Sequence, residues 1–252
     1  MIAHLGMYDR AETAAANDRL WATIRENLGY GPDHLTRNRP FMDVWRDPGL
    51  LLAQTCGYPY RAVLHDRVTL IGTPDYGLPD CAPGDYFSVF IAHKEDPRRD
   101  VSEFGGASFA FNEPMSQSGW AAPRHHADQI GIRFGALLQT GGHVRSAKAV
   151  ADQKAELAAI DAVTWTMIER WDNWAKDLKI VGRTAHSPGL PLITAQPDTR
   201  DALFSTVSDA IANLTPRDRD TLSLRGIVGI PKQRYLSVPT PSAPDKSSSS
   251  TG

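Results

Sequence analysis

The 252-residue chain contains little cysteine, no excess of basic charge and no long apolar run. Cys56 and Cys81 lie outside any CxxC motif, so the sequence predicts neither a metal site nor a redox role; the two could form a disulfide or remain thiols. The 27 Lys and Arg residues are offset by 29 Asp and Glu residues without a basic block, which argues against a nucleic-acid partner. Since no run of about 18 apolar residues occurs, we expect no direct membrane insertion.

The first seven residues lack the features of a secretory signal. They contain no charged start, apolar core or small-residue cleavage site, and they predict a first β-strand instead. The expectation is therefore either a cytoplasmic protein or a periplasmic one from which a signal peptide has been removed.

Short apolar runs alternate with segments of helical periodicity, a pattern typical of βα units around a parallel sheet. Residues 50–54 predict a buried strand, and residues 11–28 predict a helix that ends at Gly29. Further predicted strands are 68–72, 86–92, 107–111, 135–138, 158–161, 178–181 and 191–194, and further predicted helices are 146–154, 163–176 and 199–214.

The order of these elements predicts two α/β lobes joined by a hinge. The chain leaves the first lobe, builds the second and returns, so we expect lobe 1 to comprise residues 1–88 plus 190–236 and lobe 2 residues 89–189. The natural ligand site in such an architecture is the cleft between lobes. Residues 237–252 are rich in Pro and Ser and predict a disordered tail.

The most informative segment runs from Asn112 to Gly119, after an apolar strand and ahead of a predicted helix. The hydroxyls of Ser116 and Ser118, the small Gly119 and the partial positive charge of a helix start predict an anion cradle that needs no lysine. The alternative is an ordinary helix start in which Ser116 or Ser118 is the N-cap residue.

Three further polar groups follow predicted strands. Tyr58 lies in a glycine-containing loop after the strand at 50–54, and His143 follows Gly141 and Gly142 just ahead of a predicted helix, where it could donate to an oxyanion. Asp161 ends another strand, where its carboxylate could accept from a protonated ligand oxygen or pair with an amine.

With these segments, the chain resembles the phosphate, phosphite and phosphonate substrate-binding proteins of ABC transporters. The resemblance covers roughly residues 2–214, and no single motif carries it. The matching segments are 7–8, 54–59, 84–88, 112–114, 116–119, 141–143 with Ser146, 159–161 and 188–191.

The resemblance implies an α/β fold with two Rossmann-like lobes joined by a hinge, the type 2 periplasmic-binding-protein fold. It also implies which residues contact the ligand. Ser116, Gln117 and Ser118 bind its oxygens with help from His143. Tyr8, Tyr58 and Tyr86 line the cleft, and Asp161 contacts the protonated or amino end of the ligand.

The implied function is capture of a small oxyanion, a phosphonate, phosphite or phosphate-like ligand, in the interlobe cleft, for the membrane subunits of an ABC transporter and without a cofactor. A cytosolic ligand sensor or a small-molecule enzyme on the same scaffold is the alternative. The chain has no GxSxG, GxxxxGK[ST] or GxGxxG motif. Ser118, His143 and Asp161 can be written as a catalytic triad, but we interpret them as ligand-binding groups, which favours a binding protein over an enzyme.

Overall fold

The computed structural model describes residues 1–242 and 244. Its internal contacts divide the chain into two compact units. Unit 1 comprises Met1–Asp85 and Pro188–Val238, and unit 2 comprises Tyr86–Ser187 with the described residues from Pro239 onward. The lobe borders expected from the sequence lie at 88/89 and 189/190. Of the expected tail, 237–252, residue 243 and residues 245–252 lie outside the described part of the chain.

Short strands make up the sheets of both units. In the described residues they are β1 (Ile2–His4), β2 (Leu50–Gln54), β3 (Thr69–Asp75), β4 (Asp85–Tyr86), β5 (Ser88–His93), β6 (Phe109–Phe111), β7 (Leu137–Gln139), β8 (Leu157–Asp161), β9 (Leu178–Arg183), β10 (Ser187–Pro188), β11 (Leu192–Thr194) and β12 (Gly226–Val228).

The α-helices are distributed among these strands along the chain. They are α1 (Ala14–Leu28), α2 (Phe41–Trp45), α3 (Gly57–Pro59), α4 (Ala122–Gln129), α5 (His143–Ala151), α6 (Ala162–Trp171), α7 (Arg200–Ala212), α8 (Pro216–Leu222) and α9 (Lys232–Leu236). Two π-helical turns, Tyr60–Leu64 and Gln117–Ala121, continue α3 and precede α4, and 3-10 turns occur at Gly6–Tyr8, Val101–Phe104, Asn173–Asp177 and Pro197–Thr199.

Unit 1 contains a five-stranded sheet in the order β1-β2-β11-β3-β12. β1 and β2 are parallel, whereas β11 is antiparallel to β2 and β3, and β12 is antiparallel to β3. The sheet of unit 1 is therefore mixed, and the expectation of a parallel sheet is wrong for it. The alternation of apolar runs and helices predicts strands, but it does not encode the direction in which a strand returns to the sheet.

The predicted strand at 50–54 is confirmed as β2, the most buried strand of unit 1. Leu51 and Leu52 belong to a core cluster that includes residues of α1 and α7, and Leu50 and Ala53 belong to a second cluster with α2. An unbroken apolar run is what a strand covered on both faces requires.

Helix α1 ends where the sequence predicts. Gly29 adopts a left-handed conformation with φ of 78°, and its N–H donates to the carbonyls of Arg25 and Glu26. Glycine has no Cβ and adopts this conformation without steric cost, so it terminates the helix. The helix starts at Ala14 rather than at residue 11.

Unit 2 contains a second five-stranded sheet, in the order β7-β6-β8-β5-β9. β6 is parallel to both β7 and β8, and β5 is antiparallel to β8 and β9. The carboxyl ends of three neighbouring parallel strands thus lie at one edge. In open α/β sheets, this edge is where ligands bind.

Two predicted helices differ from those observed. α5 begins at His143 rather than at residue 146, so His143 is the first residue of the helix and not the residue ahead of it. α6 ends at Trp171, and after Asp172 the remainder of the predicted helix 163–176 lies in a 3-10 turn, Asn173–Asp177.

No helix in the described part of the chain combines the length and the apolar character that crossing a membrane requires.

Candidate functional site

The polar segments of unit 2 meet at the carboxyl edge of its parallel strands. The Asn112–Gly119 segment follows β6, the loop from Thr140 to His143 follows β7, and Asp161 ends β8. Sheet topology therefore brings together three segments that are far apart in sequence. Of the eight residues that the sequence predicts for the site, Ser116, Gln117, Ser118, His143 and Asp161 lie in these segments.

Ser116 is the N-cap residue of the π-helical turn that leads into α4. Its Oγ accepts a hydrogen bond of 2.9 Å from the Gly119 N–H, and its carbonyl accepts from the Ala121 N–H at 2.9 Å. The N-cap alternative is therefore correct for Ser116. Hydrogen bonding of the π-helical type is rare in proteins, and where it occurs it is often at a functional site.

Because Gly119 has no side chain, the backbone of the cradle, residues 116–119, can lie close to neighbouring side chains. A Cβ atom at this position would lie 1.9 Å from Asn112 Oδ1 and 3.2 Å from His143 Cε1. The backbone of the cradle therefore packs directly against the Asn112 amide and the His143 ring, and no larger residue fits without displacing them. Asn112 also fixes the neighbouring loop, since its carbonyl accepts from the Gly141 N–H at 2.9 Å.

Ser118 and His143 form the central contact of this site. Ser118 Oγ lies 2.7 Å from His143 Nε2, and the two residues are 25 positions apart in sequence. Ser118 is buried and His143 is partly buried. The hydroxyl and the imidazole are thus within hydrogen-bond distance of each other.

Burial lowers the pKa of His143 to about 4, and an interaction with the Ala159 backbone partly opposes this effect. The imidazole is therefore neutral near pH 7 and carries a single N–H. The direction of the hydrogen bond between Ser118 Oγ and His143 Nε2 is set by the tautomer of the ring, and Nδ1 is buried without a hydrogen-bond partner in the described part of the chain.

Ser88 connects the cradle to β8, and the sequence analysis did not identify it. Its Oγ donates to the Ser118 carbonyl at 2.9 Å, and in the β5–β8 ladder it lies opposite Asp161. Its N–H donates to Thr184 Oγ1 at 3.0 Å. The signal that could have identified it is its place at the start of a strand that pairs with the strand ending at Asp161.

Asp161 caps α6. Its Oδ1 accepts from the N–H groups of Val163 at 2.7 Å and Thr164 at 3.0 Å, and the residue is only 2% exposed. A carboxylate at a helix start is stabilised both by these hydrogen bonds and by the helix dipole. The structure thus gives Asp161 a structural role at the edge of the site.

The loop between β7 and α5 is held by its own side chains. Thr140 Oγ1 lies 2.7 Å from Ser146 Oγ and donates to the Phe111 carbonyl at 3.1 Å. Arg145 donates to the carbonyls of Thr140 and Gly141. The Arg145 guanidinium therefore stabilises the loop that positions His143.

The three predicted tyrosines lie in different parts of the fold. Tyr8 in unit 1 packs edge-on against Tyr76, with ring centroids 5.1 Å apart, and Tyr58 in unit 1 lies under the Arg61 guanidinium at 4.6 Å. Tyr86 lies on β4 at the start of unit 2. All three side chains are buried.

Among the described residues, no group of three or more His, Cys, Asp and Glu side chains is arranged to hold a metal ion.

Comparison with solved structures identifies the fold. The chain superposes on PhnD1 from Prochlorococcus marinus in complex with methylphosphonate with a TM-score of 0.70 at 14% identity, covering 93% of this chain and 94% of that one. A Xanthomonas citri protein bound to ATP gives 0.68 at 16% identity, covering 94% of each chain. MatC from Rhodopseudomonas palustris with bound malate gives 0.64 at 13% identity, covering 94% of this chain and 93% of that one.

These likenesses establish the α/β type 2 periplasmic-binding-protein fold, with two Rossmann-like lobes, that the sequence predicted. No curated protein matches the chain. The sequence family described as ABC transporter, phosphonate, periplasmic substrate-binding protein matches residues 7–233. This chain therefore belongs to the family of phosphonate-type periplasmic substrate-binding proteins of ABC transporters.

Proposed function

We propose that the protein captures a small phosphorus oxyanion, a phosphonate, phosphite or phosphate-like ligand, and delivers it to the membrane subunits of an ABC transporter. The observation that carries this proposal is the Ser118–His143 hydrogen bond of 2.7 Å at the carboxyl edge of three parallel strands. In the proposal, the site works in the periplasm and needs no cofactor.

The cradle suits an anion although it contains no lysine or arginine of its own. Its binding groups are the Ser118 hydroxyl, the Gln117 amide, the His143 ring and the helix start that Ser116 caps. Helix starts attract anions through their N–H groups and dipole. Each hydrogen bond to a charged ligand oxygen is worth roughly 1.5 to 3 kcal/mol, so a few such bonds suffice for micromolar affinity.

The relatives support a phosphorus ligand over other anions. The family is named for phosphonate, and PhnD1 was solved with methylphosphonate. Other proteins of the same fold were solved with malate or ATP, so the fold accepts anions of different shape. The choice among them for this chain rests on the cradle residues and the family.

The remaining predicted contacts are part of the same proposal. We propose that Tyr8, Tyr58 and Tyr86 also contact the ligand and that Asp161 reads its protonated or amino end. Their burial and the capping hydrogen bonds of Asp161 make these contacts secondary to those of Ser118 and His143.

The Ser118–His143 pair is also the geometry of a nucleophile with its general base, the single observation that favours an enzyme. A pKa of about 4 makes His143 a weak base near pH 7, however, because an efficient general base has a pKa close to the working pH. Asp161 Oδ1 accepts from two backbone N–H groups, which suits helix capping. These features favour binding over catalysis.

The experiment is isothermal titration of the purified protein with phosphate, phosphite, methylphosphonate, aminoalkylphosphonates, sulfate and malate. We expect heat of binding with phosphorus anions and a loss of at least about tenfold in affinity, 1.4 kcal/mol, in Ser118→Ala. Ser205→Ala, an exposed position on α7 in unit 1, is the matched control and retains wild-type affinity. Binding of malate alone, or wild-type affinity in Ser118→Ala, would contradict the proposal. Release of a hydrolysed product would favour the enzyme alternative.

A further inference from the structure

Trp120 connects the turn that carries the cradle to the C-terminal segment of unit 2. Its indole N–H donates to the Ser242 carbonyl at 3.1 Å, and the two residues are 122 positions apart in sequence. Trp120 is only 2% exposed, so this hydrogen bond helps to fix the position of a large buried ring. The bond exists only while the segment from Pro239 onward lies on unit 2.

Trp120 belongs to the same turn as the proposed ligand-binding groups. The π-helical turn Gln117–Ala121 contains both Ser118 and Trp120. The Trp120 backbone N–H donates to the Ser116 carbonyl at 3.3 Å, and the indole packs against the Phe111 ring at the end of β6, with centroids 5.2 Å apart. Because protein interiors are closely packed and transmit strain, a shift of this indole moves the backbone that carries Ser118.

Two prolines stiffen the segment that leads to Ser242. The rings of Pro239 and Pro241 fix their own φ angles, and each ring restricts the preceding residue to extended conformations. Proline-rich segments of this kind act as semi-rigid spacers. Such a segment has little conformational freedom to lose, so holding Ser242 against Trp120 costs little entropy.

The segment starts directly after a helix that contacts residues at the other two borders between the units. The chain passes from one unit to the other at 85/86, 187/188 and 238/239. In unit 1, Arg234 on α9 pairs with Asp85 at 3.0 Å, and the Tyr235 hydroxyl donates to the Gly189 carbonyl at 3.1 Å. A conformational change at these borders therefore reaches the start of the segment through α9.

We propose, resting on the proposed function, that residues 239–242 are a positioning element of the anion site. Attached through Trp120, they hold the cradle in the conformation that binds the anion, and their detachment lowers the affinity of the site. Coupling between two sites is reciprocal, so a bound anion strengthens the attachment by the same factor by which the attachment strengthens anion binding. In this proposal, Trp120 and Ser242 act through the cradle and do not contact the ligand.

The first measurement is titration calorimetry with methylphosphonate and phosphate on the wild-type protein and two shortened chains. A chain that ends at Val238 should bind about three- to tenfold more weakly than wild type, which is the range that one hydrogen bond accounts for. A chain that ends at Pro244 is the matched control, because it keeps the Ser242 carbonyl and should retain wild-type affinity.

Trp120→Phe tests the hydrogen bond without shortening the chain. It keeps a buried aromatic ring but lacks the indole N–H, so its affinity should fall by a similar factor. Ending the Trp120→Phe chain at Val238 should cause little further loss, because both changes remove the same interaction. A cooperative thermal transition shows that each variant is folded, and the shortened chain carries the test if Trp120→Phe is not.

Exchange of the Trp120 indole N–H with solvent, followed by NMR, reports detachment in the wild-type protein. The signal is assigned by its absence in Trp120→Phe. Saturating methylphosphonate should slow this exchange by the same factor, about three- to tenfold, which a purely structural role of the bond would not produce. Trp21 in unit 1 is the control, since its indole N–H donates to the Pro32 carbonyl at 3.0 Å and should keep its ligand-free exchange rate.

Three outcomes would overturn the inference. Wild-type affinity in either the chain ending at Val238 or Trp120→Phe would mean that the attachment does not position the cradle, while leaving anion capture intact. Equal slowing of exchange at Trp120 and Trp21 would mean that the anion stabilises the whole chain and not this attachment. If the wild-type protein binds neither anion, the proposed function itself fails, and this inference with it.

Discussion

A Cβ atom at Gly119 would lie 1.9 Å from Asn112 Oδ1, so the cradle and the end of β6 are in direct contact. Gly119→Ala should therefore destabilise the protein by about 1 to 3 kcal/mol, the usual cost of overpacking, and weaken anion binding by shifting Ser118. Urea unfolding and calorimetry measure the two effects.

The matched control for this variant is Gly105→Ala. An added Cβ at Gly105 would have its nearest neighbour at 3.8 Å, an ordinary contact, and the residue has φ of −58°. Its unfolding free energy should stay within about 0.5 kcal/mol of wild type. Equal effects of the two substitutions would show that the contact with Asn112 is not what makes Gly119 necessary.

His143 should make stability depend on pH. Because its folded-state pKa of about 4 lies below the ordinary 6.5, the unfolded chain binds the extra proton between these values. The stability due to the neutral buried ring is fully present above about pH 6.5 and is lost as the pH falls towards 4, by at most about 3 kcal/mol. Burial also lowers the pKa of His4 and His126, which adds a slope of the same sign.

The contribution of His143 is isolated by comparing variants. Unfolding free energies at pH 7 and pH 4.5 should differ less in His143→Phe than in wild type, whereas Ser205→Ala, which removes no titratable group at an exposed position, should keep the wild-type difference. Identical pH dependence in wild type and His143→Phe would mean that the ring titrates alike in the folded and unfolded chains.

Asp161 should contribute to stability through its cap and to binding through its charge. Asp161→Ala loses the hydrogen bonds to Val163 and Thr164 and should cost about 1 kcal/mol of unfolding free energy. Asp161→Asn keeps a capping oxygen and should be close to wild type in stability. If the carboxylate reads an amine, Asp161→Asn lowers affinity for an aminoalkylphosphonate several-fold but not for methylphosphonate; a parallel change for both ligands would refute that role.

The segment beyond Val238 should contribute to the stability of the fold through a hydrogen bond to Trp120. The Trp120 indole N–H donates to the Ser242 carbonyl at 3.1 Å, and the side chain is almost fully buried. A chain that ends at Val238 should lose about 0.5 to 1.5 kcal/mol through this bond.

A double-mutant cycle with Trp120→Phe separates the hydrogen bond from other effects of the truncation. In the Trp120→Phe background, truncation should lower the unfolding free energy by less than it does in wild type. The difference, measured by urea unfolding, should be roughly the contribution of one hydrogen bond. A zero coupling energy would mean that Ser242 contributes nothing through Trp120.

Local signals in the sequence account for much of the fold. The apolar run of β2, the left-handed Gly29 at the end of α1 and the strand that ends at Asp161 depend on properties of the segments themselves. Strand direction and the starts of α1 and α5 were predicted incorrectly, since they depend on how the chain returns to a sheet and on which hydrogen bonds close a turn.

Sequence patterns alone predict most of the elements, the family resemblance and the residue types of an anion cradle at the ends of strands. How these residues are used depends on the folded chain. The Ser118–His143 hydrogen bond joins residues 25 positions apart, Ser88 reaches Ser118 across the sheet edge, and Asp161 is committed to capping α6. A sequence pattern shows which groups are available, whereas hydrogen-bond partners and pKa shifts depend on distances and burial that exist only once the sheet has formed.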